Sequence, residues 1–501
     1  MPATSEAQLS TTDYPAPVRT GLFIGGEDVH TDAELVVHDP ARPSRVVGYA
    51  ASASAADVER AIAAAKDAQP AWAALGPAER ARLMGEAIAG IDDDRDEDAR
   101  ILSQENGKPT VEAWVDALVF EQRWREAMAL ADQVDATTVL PTTDTIPTEL
   151  TITYRPLGVV SVIVPYNWPL AILAASLPQA LVAGNTVVVK PPVTTPLATT
   201  RVVQRVAAKL PAGVINVVTG ENDPMAPLIS SDDVAKLTFT GSVGGGKKMQ
   251  EMASRGLTRT TLELGGNDAA LVLDDAILDD THLDRLFHSI YDSTGQICMN
   301  AKRLYVHRSR VDEVVAGLSA RLSTVVLGAG IDPDTTMGPL HTAQQKEFVA
   351  DLIAEAREAG ATVLEFGELP TGELAEGHFL RPAIVVDPDE SLRVVTEEQF
   401  GPVIPIVPVD SDAEAVAKAN DNWAALDGSV WSADLDRARK VAAQVYAGHV
   451  WINDHGAARL DNRAPFGGFK YSGFGREMGI QGVRGFQDTH TIAELDESMI
   501  D

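Results

Sequence analysis

Val159-Val160-Ser161-Val162-Ile163-Val164, then Pro165-Tyr166-Asn167-Trp168-Pro169, then an apolar run to Val182: this stretch decides the fold. Its first six residues are a short apolar, mostly β-branched run, and residues 170–182 read as a buried helix. Pro165, Asn167, Pro169, Ser176, Pro178 and Gln179 break the stretch 159–184 too often for a membrane span. The alternation then repeats, with strands expected over 186–189, 214–218 and 235–240. Helices are expected over 196–210, over 222–229 and from Gly241 to beyond Met249. Strands alternating with helices imply right-handed crossovers and a parallel sheet. Ligands bind such sheets beyond the carboxyl ends of the strands, which points to three loops. These are Pro165 to Pro169, Lys190-Pro191-Pro192, and Gly241-Ser242-Val243-Gly244-Gly245-Gly246.

Upstream, residues 55–106 carry an Ala-rich helical pattern through Val58, Ile62, Ala65, Trp72, Leu83, Ile88 and Leu102. Gly107-Lys108-Pro109 stops it, and a further helix carries Trp114, Leu118 and Trp124. Residues 137–156 are Thr-rich and alternating, as in Leu150-Thr151-Ile152-Thr153-Tyr154, and read as an exposed ribbon. Downstream a second αβ set runs from Asp268 through a helix at 282–292, Cys298 and a strand at 303–308, and on to about Phe466. The tail after Phe486 reads as ribbon again, with an acidic end.

With 501 residues the chain exceeds one simple core, so two or three domains are expected. The net charge of −31 repels phosphate backbones and anionic lipids, which excludes nucleic-acid and membrane binding as leading functions. The first twenty residues look disordered and lack the layout of a signal peptide, so a soluble cytoplasmic protein is expected. The acidic run 92–98 reads as the solvated opening of a helix, and the ten His residues form no ligand-spaced cluster, so no metal is expected. Cys298 is the only cysteine, which rules out an internal disulfide framework and a multi-thiolate metal site. It is either a small buried residue or a nucleophile.

Gly241 to Lys248 nearly spells a P-loop, but Lys248 stands where a hydroxyl must hold Mg²⁺. A Gly-rich helix start still offers free N–H groups to a pyrophosphate. In Thr261-Leu262-Glu263-Leu264-Gly265-Gly266-Asn267 the carboxylate sits in an apolar strand end. Glu263 is either an ion-pair partner or a desolvated general base, and the glycines after it suggest close approach of another group.

From about residue 22 to about residue 487 the chain resembles the aldehyde dehydrogenase superfamily. The likeness rests on Pro165 to Pro169, Phe239-Thr240-Gly241-Ser242, Glu263 to Asn267, Gly295-Gln296-Ile297-Cys298, Glu398-Gln399-Phe400-Gly401-Pro402 and Pro465-Phe466-Gly467-Gly468-Phe469-Lys470. The resemblance implies Cys298 as nucleophile, Glu263 as base and Asn167 as oxyanion donor. It implies NAD or NADP held by Val164, Pro165, Tyr166, Lys190, Phe239, Thr240, Gly241, Ser242, Gly246, Leu264, Glu398 and Phe400. Two Rossmann-like α/β domains with parallel sheets and a bridging β-ribbon are the implied fold. The dinucleotide-binding domain takes 20–137 and 157–265, the catalytic domain 266–480, and an oligomerisation ribbon 138–156 with 481–501. The ribbon implies a homodimer or homotetramer. Matched onto the family, an apolar aldehyde tunnel is lined by Trp168, Ile172, Ala175, Ile297, Met299, Leu460 and Phe466.

There are departures. Ser176 stands where most relatives have a relay Lys, although Glu477 matches the relay carboxylate. Val193 replaces the Glu of many NAD-preferring members, and Ala175 replaces the Arg of succinate semialdehyde enzymes. The alternatives are a coenzyme A-acylating semialdehyde dehydrogenase and a catalytically silent binding protein of the same fold.

Overall fold

In the computed structural model, which describes residues 16–499, the β-branched runs form central strands buried on both faces. Parallel sheets covered by helices require this. In chain order the first strands are β1 (Val18–Thr20), β2 (Leu22–Ile24), β3 (Glu27–Val29), β4 (Glu34–Asp39) and β5 (Arg42–Ala51). Helices α1 (Ala55–Ala74), α2 (Pro77–Ala87), α3 (Arg95–Asn106), α4 (Thr110–Ala129) and α5 (Ala131–Val134) follow, then β6 (Thr138–Leu140) and β7 (Thr148–Pro156). The alternation runs through β8 (Val159–Ile163), α6 (Pro169–Val182), β9 (Thr186–Lys190), α7 (Leu197–Ala207) and β10 (Ile215–Val217). It continues with α8 (Pro227–Ser230), β11 (Val234–Thr240), α9 (Val243–Ala253) and β12 (Arg259–Glu263). A second series holds β13 (Asp268–Val272), α10 (Asp280–Tyr291), β14 (Ala301–His307), β15 (Thr362–Glu365), β16 (Ala383–Val386) and β17 (Val403–Val409). After it come β18 (Ala424–Ala425), β19 (Asp427–Trp431), β20 (His449–Ile452), β21 (Phe469–Lys470), β22 (Gly473–Phe474) and β23 (Gln487–Leu495).

The first large sheet has the order β22-β12-β11-β8-β9-β10-β2-β3, with β12, β11, β8, β9 and β10 parallel. The second has the order β15-β16-β17-β14-β13-β19-β20 and is parallel except at β15. Period-two alternation divides the strand side chains of the first sheet between two cores. Val160, Val162, Val187 and Val189 join Leu173 and Leu177 of α6, whereas Val159, Ile163 and Val188 join Val58 and Ile62 of α1. The ribbon is a separate antiparallel sheet, β23-β7-β6, in which Gln487 to Leu495 pair with Pro156 to Thr148.

Three features differ from the sequence reading. The strands before residue 55 went unread: β1, β2 and β3 have three residues each, β4 and β5 are mixed in polarity, and β4 and β5 form a small sheet with β1. The disorder expected of the first twenty residues falls in part on 1–15, outside the described residues; Val18–Thr20 is a strand paired to β5. β22, from the segment 266–480, crosses to the first sheet and pairs Glu263 with Gly473. A Cβ at Gly473 would lie 1.8 Å from the Leu262 carbonyl oxygen, so only glycine lets this edge close on β12. Among the described residues no helix is long and apolar enough to cross a membrane.

Candidate active site

The loop after β8 delivers Asn167, and Pro169 then opens α6 at a position where its missing N–H leaves no bond unmade. Asn167 is buried. Its Nδ2 donates to the Gln296 carbonyl at 2.9 Å, and its Oδ1 has no partner among the described residues. One of the two amide N–H bonds is therefore still available. The Asn167 carbonyl accepts from Lys108 Nζ at 3.0 Å, and Asn106 Nδ2 donates to the Tyr166 carbonyl at 2.7 Å. The Tyr166 ring stacks on His341 at 4.2 Å and meets Phe400 edge-on.

Cys298 lies between a 3₁₀ turn (Asp292–Gly295) and β14. Ser293, Thr294 and Gly295 all take positive φ, at 53°, 58° and 75°, which turns the chain sharply before the cysteine. A side chain at Gly295 would strike the Gly401 carbonyl oxygen at 2.2 Å. Lys302 ties the turn down by donating to the carbonyls of Ile297 at 2.7 Å, Cys298 at 2.8 Å and Asn300 at 3.2 Å. The Cys298 N–H makes no hydrogen bond among the described residues. Burial raises the thiol pKa; the Lys302 ammonium opposes this, while Glu398, Asp427 and Asp268 add to it.

Glu263 ends β12. Its carboxyl is buried, and neither oxygen has a partner among the described residues. Burial raises its pKa well above the usual carboxylate range, repulsion from Glu477 and Asp427 adds to the shift, and Arg476 opposes it. The space beside it is kept by Gly467, where a Cβ would come within 2.7 Å of Glu263 Oε1. Glu477 accepts from Ser176 Oγ at 2.6 Å, so a hydroxyl occupies the place of the relay Lys. The expected aldehyde wall is one apolar cluster of Ala175, Ile297, Met299 and Phe466, with Trp168, Cys298 and Leu460 packed against it. Leu426 and Met478 complete this cluster and were missed in sequence. Ile172 packs instead against the core of the first sheet. Arg459, next to Leu460 in the chain, is exposed and paired with Asp454 at 3.1 Å.

The expected dinucleotide contacts gather at the carboxyl ends of β8, β9, β11 and β12. The Val164 N–H donates to the Lys190 carbonyl, leaving Pro165 and Tyr166 beyond the strand end. Lys190 is buried with no ion pair among the described residues and only a 3.4 Å bond to Asn222 Oδ1. Burial pushes its pKa down to about 8, against the pull of Glu221. After Phe239 and Thr240, Gly241 donates to the Glu263 carbonyl at 3.0 Å. Ser242 then caps α9 by accepting from the Gly245 N–H at 3.1 Å. The Val243 and Gly244 N–H groups have no acceptor among the described residues, and a side chain at Gly244 would meet open space. Gly246 packs so tightly on Leu264 that a Cβ would sit 2.5 Å from it. Glu398 and Phe400 arrive from the segment before β17, with Glu398 Oε1 accepting from the Gly266 N–H at 3.1 Å. An under-bonded ammonium, open helix N–H groups and the Glu398 carboxylate held by the Gly266 N–H fit a ligand with ribose hydroxyls and a pyrophosphate. Among the described residues no group of three or more His, Cys, Asp or Glu side chains could hold a metal ion.

The partners of the site were hidden in sequence. Lys302 and Lys108 look like ordinary lysines, and only their burial beside Cys298 and Asn167 marks them.

The model of the Aldehyde dehydrogenase family matches residues 28–492. A betaine aldehyde dehydrogenase of Rhizobium etli (strain CIAT 652) is 33% identical over 481 residues, covering 95% of this chain and 97% of that protein. The crystal structure of a Staphylococcus aureus betaine aldehyde dehydrogenase in complex with NAD⁺ is similar with a TM-score of 0.89 at 30% identity. It covers 95% of both chains. An Escherichia coli NADP-dependent enzyme is similar with a TM-score of 0.90 at 31% identity, over 95% of this chain and 98% of its own.

Proposed function

This chain belongs to the aldehyde dehydrogenase family, and on that premise we propose that it oxidises medium-sized aliphatic or aromatic aldehydes to carboxylic acids through Cys298, Glu263 and Asn167. It is an NAD(P)-dependent oxidoreductase. The Cys298 sulfur, deprotonated, bonds to the aldehyde carbon, and the carbonyl π electrons move onto oxygen. The free Asn167 amide N–H and the Cys298 N–H donate to that oxyanion. The nicotinamide of NAD(P)⁺ supplies the acceptor for the hydride that leaves the same carbon as the C–H bond breaks, so the adduct on sulfur becomes a thioester. Glu263 then takes a proton from water, the hydroxide adds to the thioester carbon, and the C–S bond breaks to release the acid and the thiolate. Lys190, Ser242, the start of α9, Glu398 and Phe400 are the residues that hold the dinucleotide.

Glu263 carries this reading. A buried carboxyl with both oxygens unpartnered is too costly to keep for packing alone, and it suits a base waiting for water. It favours hydrolysis over transfer to coenzyme A. The apolar wall favours uncharged substrates, because a carboxylate tail there would lose its water without gaining the Arg absent at Ala175. The relatives named betaine aldehyde dehydrogenase bring a second substrate class, a trimethylammonium aldehyde. Against it, the Trp168 ring that could face such a cation already has the Lys108 ammonium 4.1 Å from its centre.

Val193 packs against the core of the first sheet and offers neither a ribose acceptor nor a charge against a 2′-phosphate. Glu221 does face Lys190 but is exposed, where water and salt screen it. NADP⁺ is therefore accepted at least comparably to NAD⁺. One experiment tests substrate and cofactor together: kcat/KM for hexanal, benzaldehyde, betaine aldehyde and succinate semialdehyde, each with both dinucleotides. Hexanal and benzaldehyde should lead. Succinate semialdehyde or betaine aldehyde in first place would overturn the substrate reading. A preference for NAD⁺ beyond a hundredfold, or ~2.7 kcal/mol, would overturn the cofactor reading. Product formed only when coenzyme A is present would point to the acylating alternative.

In this reading 20–137 with 157–265 binds the dinucleotide, 266–480 carries the nucleophile, and 138–156 with 481–501 joins subunits. Val139, Leu140, Ile492 and Leu495 are exposed on the two outer strands of the ribbon, which supports pairing with a second copy. A dimer or tetramer is the expected result of light scattering at micromolar concentration, and a monomer would remove the idea. The cytoplasm is the fitting compartment, since a lone nucleophilic thiol stays reduced there.

A further inference from the structure

The start of α4 carries three charges that the reaction scheme does not use. Lys108, Glu112 and Asp116 are spaced by four residues, so they line one face of the helix and the turn leading into it. Each grips a different part of the site. Lys108 Nζ donates to the Asn167 carbonyl at 3.0 Å and lies over the Trp168 ring at 4.1 Å. Asp116 accepts from Lys108 at 2.8 Å with one oxygen and from the Ala171 N–H, in the first turn of α6, at 2.6 Å with the other. This ion pair is 1% and 0% exposed. Glu112 accepts from both the N–H and the Oγ of Ser293, at 2.9 and 2.7 Å.

Ser293 closes the circuit. Its Oγ also accepts from Trp168 Nε1 at 3.0 Å, so the Asn167 loop and the cysteine turn are bonded to each other as well as to α4. Ser293 is the first of the positive-φ residues that lead to Cys298, and such a conformation persists in a non-glycine residue only where its surroundings enforce it. A buried ion pair adds little net stability compared with apolar packing, so stability alone does not account for it. It does fix direction and distance.

We propose that the Lys108–Glu112–Asp116 face of α4 is a positioning device that sets the Asn167 amide and the Cys298 turn at their working separation. It acts through the Asn167 main chain and Ser293 and never touches substrate. The proposal rests on Asn167 being the oxyanion donor, and a double-mutant cycle separates the two ideas. Lys108→Met should lower kcat about 10- to 100-fold, the effect of misplacing a catalytic group by about 1 Å, with aldehyde KM nearly unchanged. In an Asn167→Ala background, itself slower by about 10²- to 10³-fold, the same change should cost less than about threefold. Lys108→Arg, which keeps charge and donor, should recover part of the loss. Should Lys108→Met fail to fold, Asp116→Asn runs the same cycle, removing the charge while keeping the acceptor for Ala171. Glu112→Ala should change the rate at which iodoacetamide labels Cys298, whereas Lys108→Met should not. Equal losses of kcat in both Asn167 backgrounds, a loss confined to KM, or unchanged labelling in Glu112→Ala would overturn the proposal. An Asn167→Ala variant with native kcat would defeat the oxyanion assignment itself.

Discussion

Cys298→Ala should abolish aldehyde-dependent NAD(P)H formation, a fall on the order of 10⁶-fold in kcat as for other removed covalent nucleophiles. Dinucleotide binding, followed by quenching of tryptophan fluorescence, should survive. Because Cys298 is the only cysteine, the wild-type protein offers the same test without mutation. One iodoacetamide per chain should track the loss of activity, and fully alkylated protein that still oxidises aldehyde would refute the nucleophile. The labelling rate also reads the electrostatics. Burial holds the thiol protonated and Glu398, Asp427 and Asp268 reinforce this, while the Lys302 ammonium and the Arg123 guanidinium oppose it. The thiolate fraction of the dinucleotide-free enzyme should therefore keep rising with pH through and beyond neutrality. A rate that levels off below pH 8 would show that a cation stronger than Lys302 governs the sulfur.

Glu263→Gln should divide the reaction in two. Acylation and hydride transfer precede water activation, so rapid mixing should show at most one NAD(P)H per site. Steady-state turnover should then fall by about 10²- to 10⁴-fold, the usual worth of a general base. The sign of the pH dependence follows from the site. The base works as a carboxylate, and burial with repulsion from Glu477 and Asp427 raises its pKa. Wild-type turnover should thus climb with pH across a range well above that of an ordinary Glu, and the variant should lose that limb. Unimpaired steady-state turnover in Glu263→Gln would mean that another group activates the water.

Much of this was legible in sequence, and its limits are physical. Alternating β-branched strands and helices from Val159 onward can bury their apolar faces in few ways, so the parallel sheets follow from local pattern. The Thr-rich alternation around Leu150 to Tyr154 likewise shows a half-exposed strand, and it became the centre of the ribbon. Strands β1, β2 and β3 escaped because three residues are too few to display a period, and β4 and β5 because polar and apolar residues are mixed along them.

By itself, then, the sequence determined which residues have chemistry to offer: one thiol, a carboxylate in an apolar strand end, and glycines where another chain segment must pass close. Tertiary structure alone decided their state. Glu263 and Cys298, 35 residues apart, lie at the end of one sheet and beside another. Ser176 meets Glu477 across 301 residues of chain, and Asn167 takes its bearings from Gln296, 129 residues away. Local pattern reports only which face of an element avoids water. The pKa of a carboxyl or thiol depends on how much water is removed from it and which charges stand near, and both are sums over atoms brought together from the whole chain.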